Sequence, residues 1–176
     1  KRLGIMGTGT IGSAVAQHAT HFGLAVTGLS SKGQSVPGFV TCYSNSHRFD
    51  FAQGLDYLVS LLPSTPATDG IVDAALLARM NPGGIFINAG RGNAVLNADL
   101  INALQQGPLR YAILDVFEEE PLAQSHALWN VPGLFITSHT AAPTPSEAIP
   151  EVFARNLSLF LAGEPMPGAL CSERGY

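Results

Sequence analysis

Charge is scarce in this sequence. Of its 176 residues only 12% are charged, and the nine cationic side chains never gather into a basic run. A formal charge of −4 with no basic stripe excludes phosphate-backbone binding as the organising function, because nucleic-acid affinity needs several clustered cations. Cysteine is scarce too. Cys42 and Cys171 stand far apart, outside any metal-ligand spacing, and read as unpaired thiols of a reducing compartment, which points to the cytoplasm. Long apolar runs are missing: stretches such as 57–62 and 84–87 fall far short of the roughly 20 residues that a membrane-spanning helix needs. No leader is recognisable either. The opening Lys1-Arg2-Leu3-Gly4-Ile5-Met6 already reads as a core strand, so the chain is expected to begin inside a longer protein.

What is present is apolar residue in short blocks. Runs rich in Ile, Val, Leu and Phe alternate with longer helical patterns, the order of βαβ units that feed a parallel sheet. Strands are predicted near 2–7, 24–29, 39–42, 55–61, 84–88, 110–114 and 134–137, and helices near 10–22, 73–80, 97–106 and 146–162. Asp73 and Asn97 are the expected caps of the second and third helices, with Leu100, Ile101 and Leu104 as the buried stripe of the third. In the last helix Pro150 belongs in the first turn, where a missing N–H costs least, and Val152, Phe153, Leu157 and Phe160 supply the apolar face. The fold class is therefore α/β, a doubly wound parallel sheet of about seven strands in three α/β/α layers. It should occupy residues 1–163, with 164–176 as an irregular tail.

Gly7-Thr8-Gly9-Thr10-Ile11-Gly12 directly follows a predicted strand and opens a helix. In that context each glycine has a reason: Gly7 for the tight turn, Gly9 for backbone approach to a pyrophosphate, Gly12 for helix-to-strand packing. The anion would rest on unpaired N–H groups at the positive end of the helix. A plain structural turn or a methyltransferase cofactor site is the competing reading. At the end of the second strand, where a carboxylate would bind a ribose 2′-hydroxyl, stand Ser30, Ser31 and Lys32. Hydroxyls and an ammonium suit a 2′-phosphate, so NADP is favoured with NAD possible; a solvated loop with a chance lysine is the alternative.

Three further segments follow in order: Asn88-Ala89-Gly90-Arg91-Gly92, Leu114 to Leu122, and Ser138-His139-Thr140-Ala141-Ala142. Together with the glycine loop they resemble the D-2-hydroxyacid dehydrogenase family, over essentially 3–163. The Leu61-Leu62-Pro63-Ser64-Thr65-Pro66-Ala67-Thr68 segment is similar to that family's loop after the fourth strand and, with the absent acid at Ser30, looks like its NADPH-preferring glyoxylate and hydroxypyruvate reductases. The resemblance implies an oxidoreductase that interconverts small 2-oxoacids and D-2-hydroxyacids. It also implies roles. Arg91 clamps the substrate carboxylate, His139 acts as acid and base, and Glu120 orients His139 and favours its charged form. Asp115 holds the nicotinamide carboxamide, although a carboxylate at a strand end is also commonly a turn or cap residue; Leu62, Pro63, Thr68 and Ala89 join the cofactor site.

Glu118 and Glu119 read as a solvated acidic loop, and His18, His21, His47 and His126 as ordinary residues without ligand-like pairing, so no metal is assigned. Members of the family carry a second, substrate domain, which is expected to be missing here, and they pair as homodimers. A dinucleotide-sensing, protein-binding module of the same family is the alternative function; the complete Arg, Glu and His set argues against it.

Overall fold

The computed structural model describes residues 1–142, 146 and 148–169. Two compact units divide the chain, Lys1–His139 and Thr140–Tyr176. The sequence grouped the last helix with the sheet; in the structure it belongs to the second unit.

The first unit is built on seven strands: β1 (Arg2–Met6), β2 (Ala25–Ser30), β3 (Thr41–Ser44), β4 (Tyr57–Ser60), β5 (Gly84–Asn88), β6 (Leu109–Leu114) and β7 (Leu134–Ile136). All pair in parallel, in the order β3-β2-β1-β4-β5-β6-β7. Strand order therefore reverses between β1 and β4, and a doubly wound sheet places its ligands in the crevice outside the carboxyl ends at that point.

Helices cover both faces, as strands without polar alternation require. Helix α1 (Thr10–His21) lies on one face, where Ala16 and Ala19 pack with Leu3, Ile5 and Val26. On the other lie α2 (Arg48–Ala52), α3 (Ala74–Leu77) and α4 (Asn97–Gln105). Their Phe51, Leu76, Leu77 and Leu100 join Met6, Leu29, Leu58 and Phe86 in the larger core. Phe51 and Phe86 are fully buried, each burial favouring the fold by roughly 1.5–3 kcal/mol relative to exposure. Gly4 makes this packing possible: a Cβ there would stand 2.3 Å from Leu55 Cδ1.

Several local expectations shift. Asp73 does cap α3, accepting from the Leu76 amide at 2.8 Å. Asn97 does not cap α4: it is the first helical residue, the N-cap is Leu96, and no side chain closes that end. Ala103 rather than Ile101 or Leu104 shares full burial with Leu100, since the helix axis turns those two only partly inward. β3 begins two residues later than predicted, at Thr41, with the Val40 amide already bonded to the Val26 carbonyl of β2. Helix α2 was not anticipated; its single turn is too short for periodicity to register.

The second unit holds α5 (Ala148–Ala162), with Pro150 third in the helix and Gly163, at φ 71°, ending it. Residues 164–169 carry no regular structure. The remaining tail and Cys171 lie outside the described residues.

Candidate active site

The glycine loop joins β1 to α1. Gly7 takes φ +100°, a conformation open to glycine, and its amide donates to the Leu29 carbonyl at 2.8 Å. A Cβ on Gly12 would stand 1.9 Å from the Gly7 carbonyl oxygen, so helix and loop touch backbone to backbone. At Gly9 the opposite holds: nothing lies within 4 Å of a Cβ position, and Gly9, Thr10 and Ile11 are exposed. A tight turn, a close packing contact and an open approach thus fall on the three glycines in the order that a pyrophosphate cradle needs. Ser30 ends β2, with its Oγ accepting from the Gly33 amide at 3.1 Å, and Ser31 and Lys32 are exposed beside it.

The loop after β4 closes the crevice from the other side of the strand reversal. Leu62 is buried and Pro63 half-buried; the Thr68 hydroxyl donates to the Pro63 carbonyl at 2.7 Å and accepts from the Thr65 amide at 2.9 Å. Thr68 therefore shapes this loop from within.

Arg91 is presented by the turn after β5. Asn88, fully buried, builds that turn by donating to the Arg91 carbonyl at 3.0 Å and accepting from the Gly90 amide at 3.2 Å. The Ala89 amide ties the same turn to the Ser60 carbonyl at 3.0 Å. The glycines on either side of Arg91 press against two different loops. A Cβ on Gly90 would lie 2.6 Å from the Leu62 nitrogen, and one on Gly92 only 1.9 Å from the Phe117 carbonyl carbon. The guanidinium itself is exposed, its Nη1 donating to the Gly90 carbonyl at 2.7 Å.

Asp115 follows β6 and is buried, with its amide on the Asn88 carbonyl at 2.9 Å and its carboxylate accepting from the Thr137 hydroxyl. Its carbonyl receives the His139 amide at 2.8 Å, which holds His139 at φ 55° just past β7. A non-glycine residue in the left-handed region is uncommon and is characteristic of side chains placed for a task. There His139 Nδ1 donates to Glu120 Oε2 at 2.8 Å, while Glu120 Oε1 accepts from the Phe117 amide at 2.9 Å. Glu120 is held below its ordinary 4.5, first by the His139 hydrogen bond, then by the Phe117 amide, with the charges of His139 and Arg91 adding. A cavity of about 430 Å³ opens beside this pair, walled by Phe117, Leu122, Trp129 and Ile136 and including none of the glycine loop.

The structure thus joins Glu120 to His139 directly and brings Arg91 within electrostatic range of Glu120 without a hydrogen bond between them. Glu118 and Glu119 are exposed. Sequence reasoning passed over Asn88 and Thr137. The signal for Asn88 was an Asn two residues before a glycine, the pattern of an Asx turn; Thr137 carried none. Among the described residues no cluster of His, Cys, Asp and Glu could hold a metal, and no helix is long and apolar enough to cross a membrane.

A parallel sheet with a glycine cradle, and an Arg and a His–Glu pair along its carboxyl edge, defines a nicotinamide-dependent dehydrogenase domain. The chain belongs to the D-isomer specific 2-hydroxyacid dehydrogenase family, whose NAD-binding domain matches residues 1–141. It is 38% identical over 174 residues to glyoxylate/hydroxypyruvate reductase A of Serratia proteamaculans, covering 99% of this chain and 56% of that protein. The chain therefore spans little more than half the length of the curated relatives it matches. Among solved structures it is similar to the NADPH-dependent glyoxylate/hydroxypyruvate reductase of Sinorhizobium meliloti in complex with NADP and sulfate, with TM-score 0.91 and 34% identity over 99% of this chain and 57% of that one. A probable 2-hydroxyacid dehydrogenase of Rhizobium etli in complex with NADP gives 0.89 and 33%, covering 99% and 56%.

Proposed function

We propose that this chain is the cofactor-binding part of an NADP(H)-dependent reductase of small 2-oxoacids such as glyoxylate and hydroxypyruvate, with NAD as a poorer cofactor. The observation that carries the reading is the His139–Glu120 pair at the carboxyl edge of the sheet. With Nδ1 donating to the carboxylate, the other ring nitrogen faces outward as the group that exchanges a proton with substrate. In reduction His139 Nε2 donates its proton to the substrate's carbonyl oxygen as charge develops there; in oxidation it removes that proton. Glu120 stays ionised, orients the ring and stabilises its positive form. Arg91 offers two parallel N–H groups to the substrate carboxylate and the neighbouring oxygen. Gly7, Gly9, Thr10, Ile11 and Gly12 would hold the pyrophosphate, Leu62, Pro63, Thr68 and Ala89 would border the cofactor, and Asp115 would receive the carboxamide. The nicotinamide, when bound, supplies the hydride.

The NADP preference is supported by the absence of a carboxylate at Ser30, Ser31 and Lys32 and by the NADP named in the complexes of relatives. A homodimer and a cytoplasmic setting belong to the same reading, on the family resemblance and the unpaired thiol of Cys42. The region that relatives carry beyond this chain's match would close the site against water.

The test is His139→Ala in the intact protein, because turnover by this part alone should be weak, with NADPH oxidation measured on glyoxylate and hydroxypyruvate. The rate is expected to fall by roughly 10²–10⁴ while NADPH affinity changes by less than about twofold. Equal losses in rate and affinity would mark His139 as structural and end the proposal.

A further inference from the structure

β2 and β3 finish side by side, with Ser30 the register partner of Ser44. The loop that leaves β2 is seated against the segment that leaves β3: Gly33, at φ +66°, has no room for a Cβ, which would stand 2.6 Å from the Ser44 nitrogen and 2.9 Å from the Tyr43 carbonyl carbon. Beside Ser31 and Lys32, then, lies Ser44-Asn45-Ser46-His47, and three of its side chains converge. Ser44 Oγ is 2.7 Å from Ser46 Oγ, and the two hydroxyls are 3.0 and 3.1 Å from His47 Nδ1.

Ser46 and His47 are exposed, so ordering them costs side-chain entropy that a solvated loop has no need to meet. A hydroxyl that donates to Nδ1 puts the ring proton on Nε2, which makes the outward nitrogen a donor. Arg48, the next residue, is engaged elsewhere: it bonds Asp73 at 3.3 Å and lies over the Phe49 ring at 4.3 Å. The donor that the Ser44, Ser46 and His47 cluster offers is therefore the imidazole.

We propose that Ser44, Ser46 and His47 form the second wall of the site for the ribose 2′-phosphate of NADP, facing Ser30, Ser31 and Lys32. The inference rests on the cofactor reading above and extends it. A phosphomonoester presents three strong acceptor oxygens, more than one ammonium can satisfy. Ser30 Oγ accepts from Gly33 and keeps its own proton to donate, Lys32 supplies charge, and His47 Nε2–H supplies a directed donor from the β3 side. Neither 30–33 nor 44–47 contains a carboxylate to repel the dianion.

The experiment titrates the full chain with NADPH and with NADH, following nicotinamide fluorescence, in the wild type and in His47→Ala, His47→Gln and Lys32→Ala. His47→Ala is expected to weaken NADPH binding about tenfold more than NADH binding, the size of one hydrogen bond to a charged group. His47→Gln should restore part of that selectivity, because its amide keeps an N–H donor. If Lys32→Ala erodes the selectivity while His47→Ala leaves it intact, the second wall is overturned and the cofactor reading stands. If the wild type binds both nucleotides equally, the cofactor reading falls and takes this inference with it.

Discussion

On the proposed function, Gly92→Ala in the intact protein is expected to slow 2-oxoacid reduction although it removes no reacting group. A Cβ at position 92 would stand 1.9 Å from the Phe117 carbonyl carbon and 2.2 Å from the Glu118 nitrogen. Both are backbone atoms, so relief cannot come from a side-chain rotation; the peptide must retreat by about 1.5 Å to reach ordinary contact at 3.4 Å. The Phe117 amide donates to one oxygen of Glu120 at 2.9 Å, and the other oxygen holds His139 at 2.8 Å. A retreat of that size breaks the first bond and turns the carboxylate away from the second. Misplacement by an ångström costs on the order of 10²-fold in rate, and overpacking costs about 1–3 kcal/mol of stability. The assay is kcat for glyoxylate at saturating NADPH, with cofactor titration and a thermal melt alongside. Cofactor affinity should change far less, since the glycine loop that would hold the pyrophosphate lies elsewhere in the chain. A variant that turns over at the wild-type rate would contradict this coupling, as would a deficit that disappears whenever the temperature is lowered enough to keep the protein folded.

Glu120 should titrate below the ordinary 4.5 because the His139 hydrogen bond favours its ionised form. What the ionised carboxylate contributes is complete above that ordinary range and is lost as pH falls through the depressed value. An NMR titration of the Glu120 carboxyl carbon checks this, and His139→Ala should move the midpoint up; an unmoved midpoint contradicts the pairing. Asp56 is pushed down to about 2, first by the Lys1 ammonium at 2.9 Å and next by the Arg2 amide at 2.7 Å. Asp56→Asn is expected to cost about 1 kcal/mol in urea unfolding at neutral pH, a modest figure because the Lys1 partner is largely exposed. The difference should persist above the ordinary 3.8 and close as pH falls through about 2; a gap that survives below that pH would show that charge is not its source.

The strands and the glycine loop were legible because their signals are local. An apolar run bounded by turn residues needs no knowledge of its neighbours, and Gly7, Gly9 and Gly12 carry their demands in their spacing. Asp73 was legible as a cap for the same reason. Asn97 misled because a good capping residue at a helix start fits either the cap or the first turn, and here Leu96 occupies the cap. The convergence of Glu120 and His139, 19 residues apart, came from the family resemblance rather than from periodicity. Its physical support, the Asp115 carbonyl that fixes His139 and the Phe117 amide that fixes Glu120, lies in backbone contacts that no side-chain pattern encodes. The Ser44, Ser46 and His47 cluster escaped notice because a polar loop looks the same in sequence whether its side chains point apart or together.

The strand order puts the β2–β3 margin, which would greet the adenosine end of a dinucleotide, on one flank of the reversal, and Arg91, Glu120 and His139 on the other. On the proposed function, coenzyme choice and proton chemistry are thereby written on separate stretches of chain with the central strands as a rigid partition. Such a layout lets redesign or natural drift exchange the nucleotide a reductase consumes, by rewriting a few residues after β2 and β3, without reopening the problem of how the oxoacid is held.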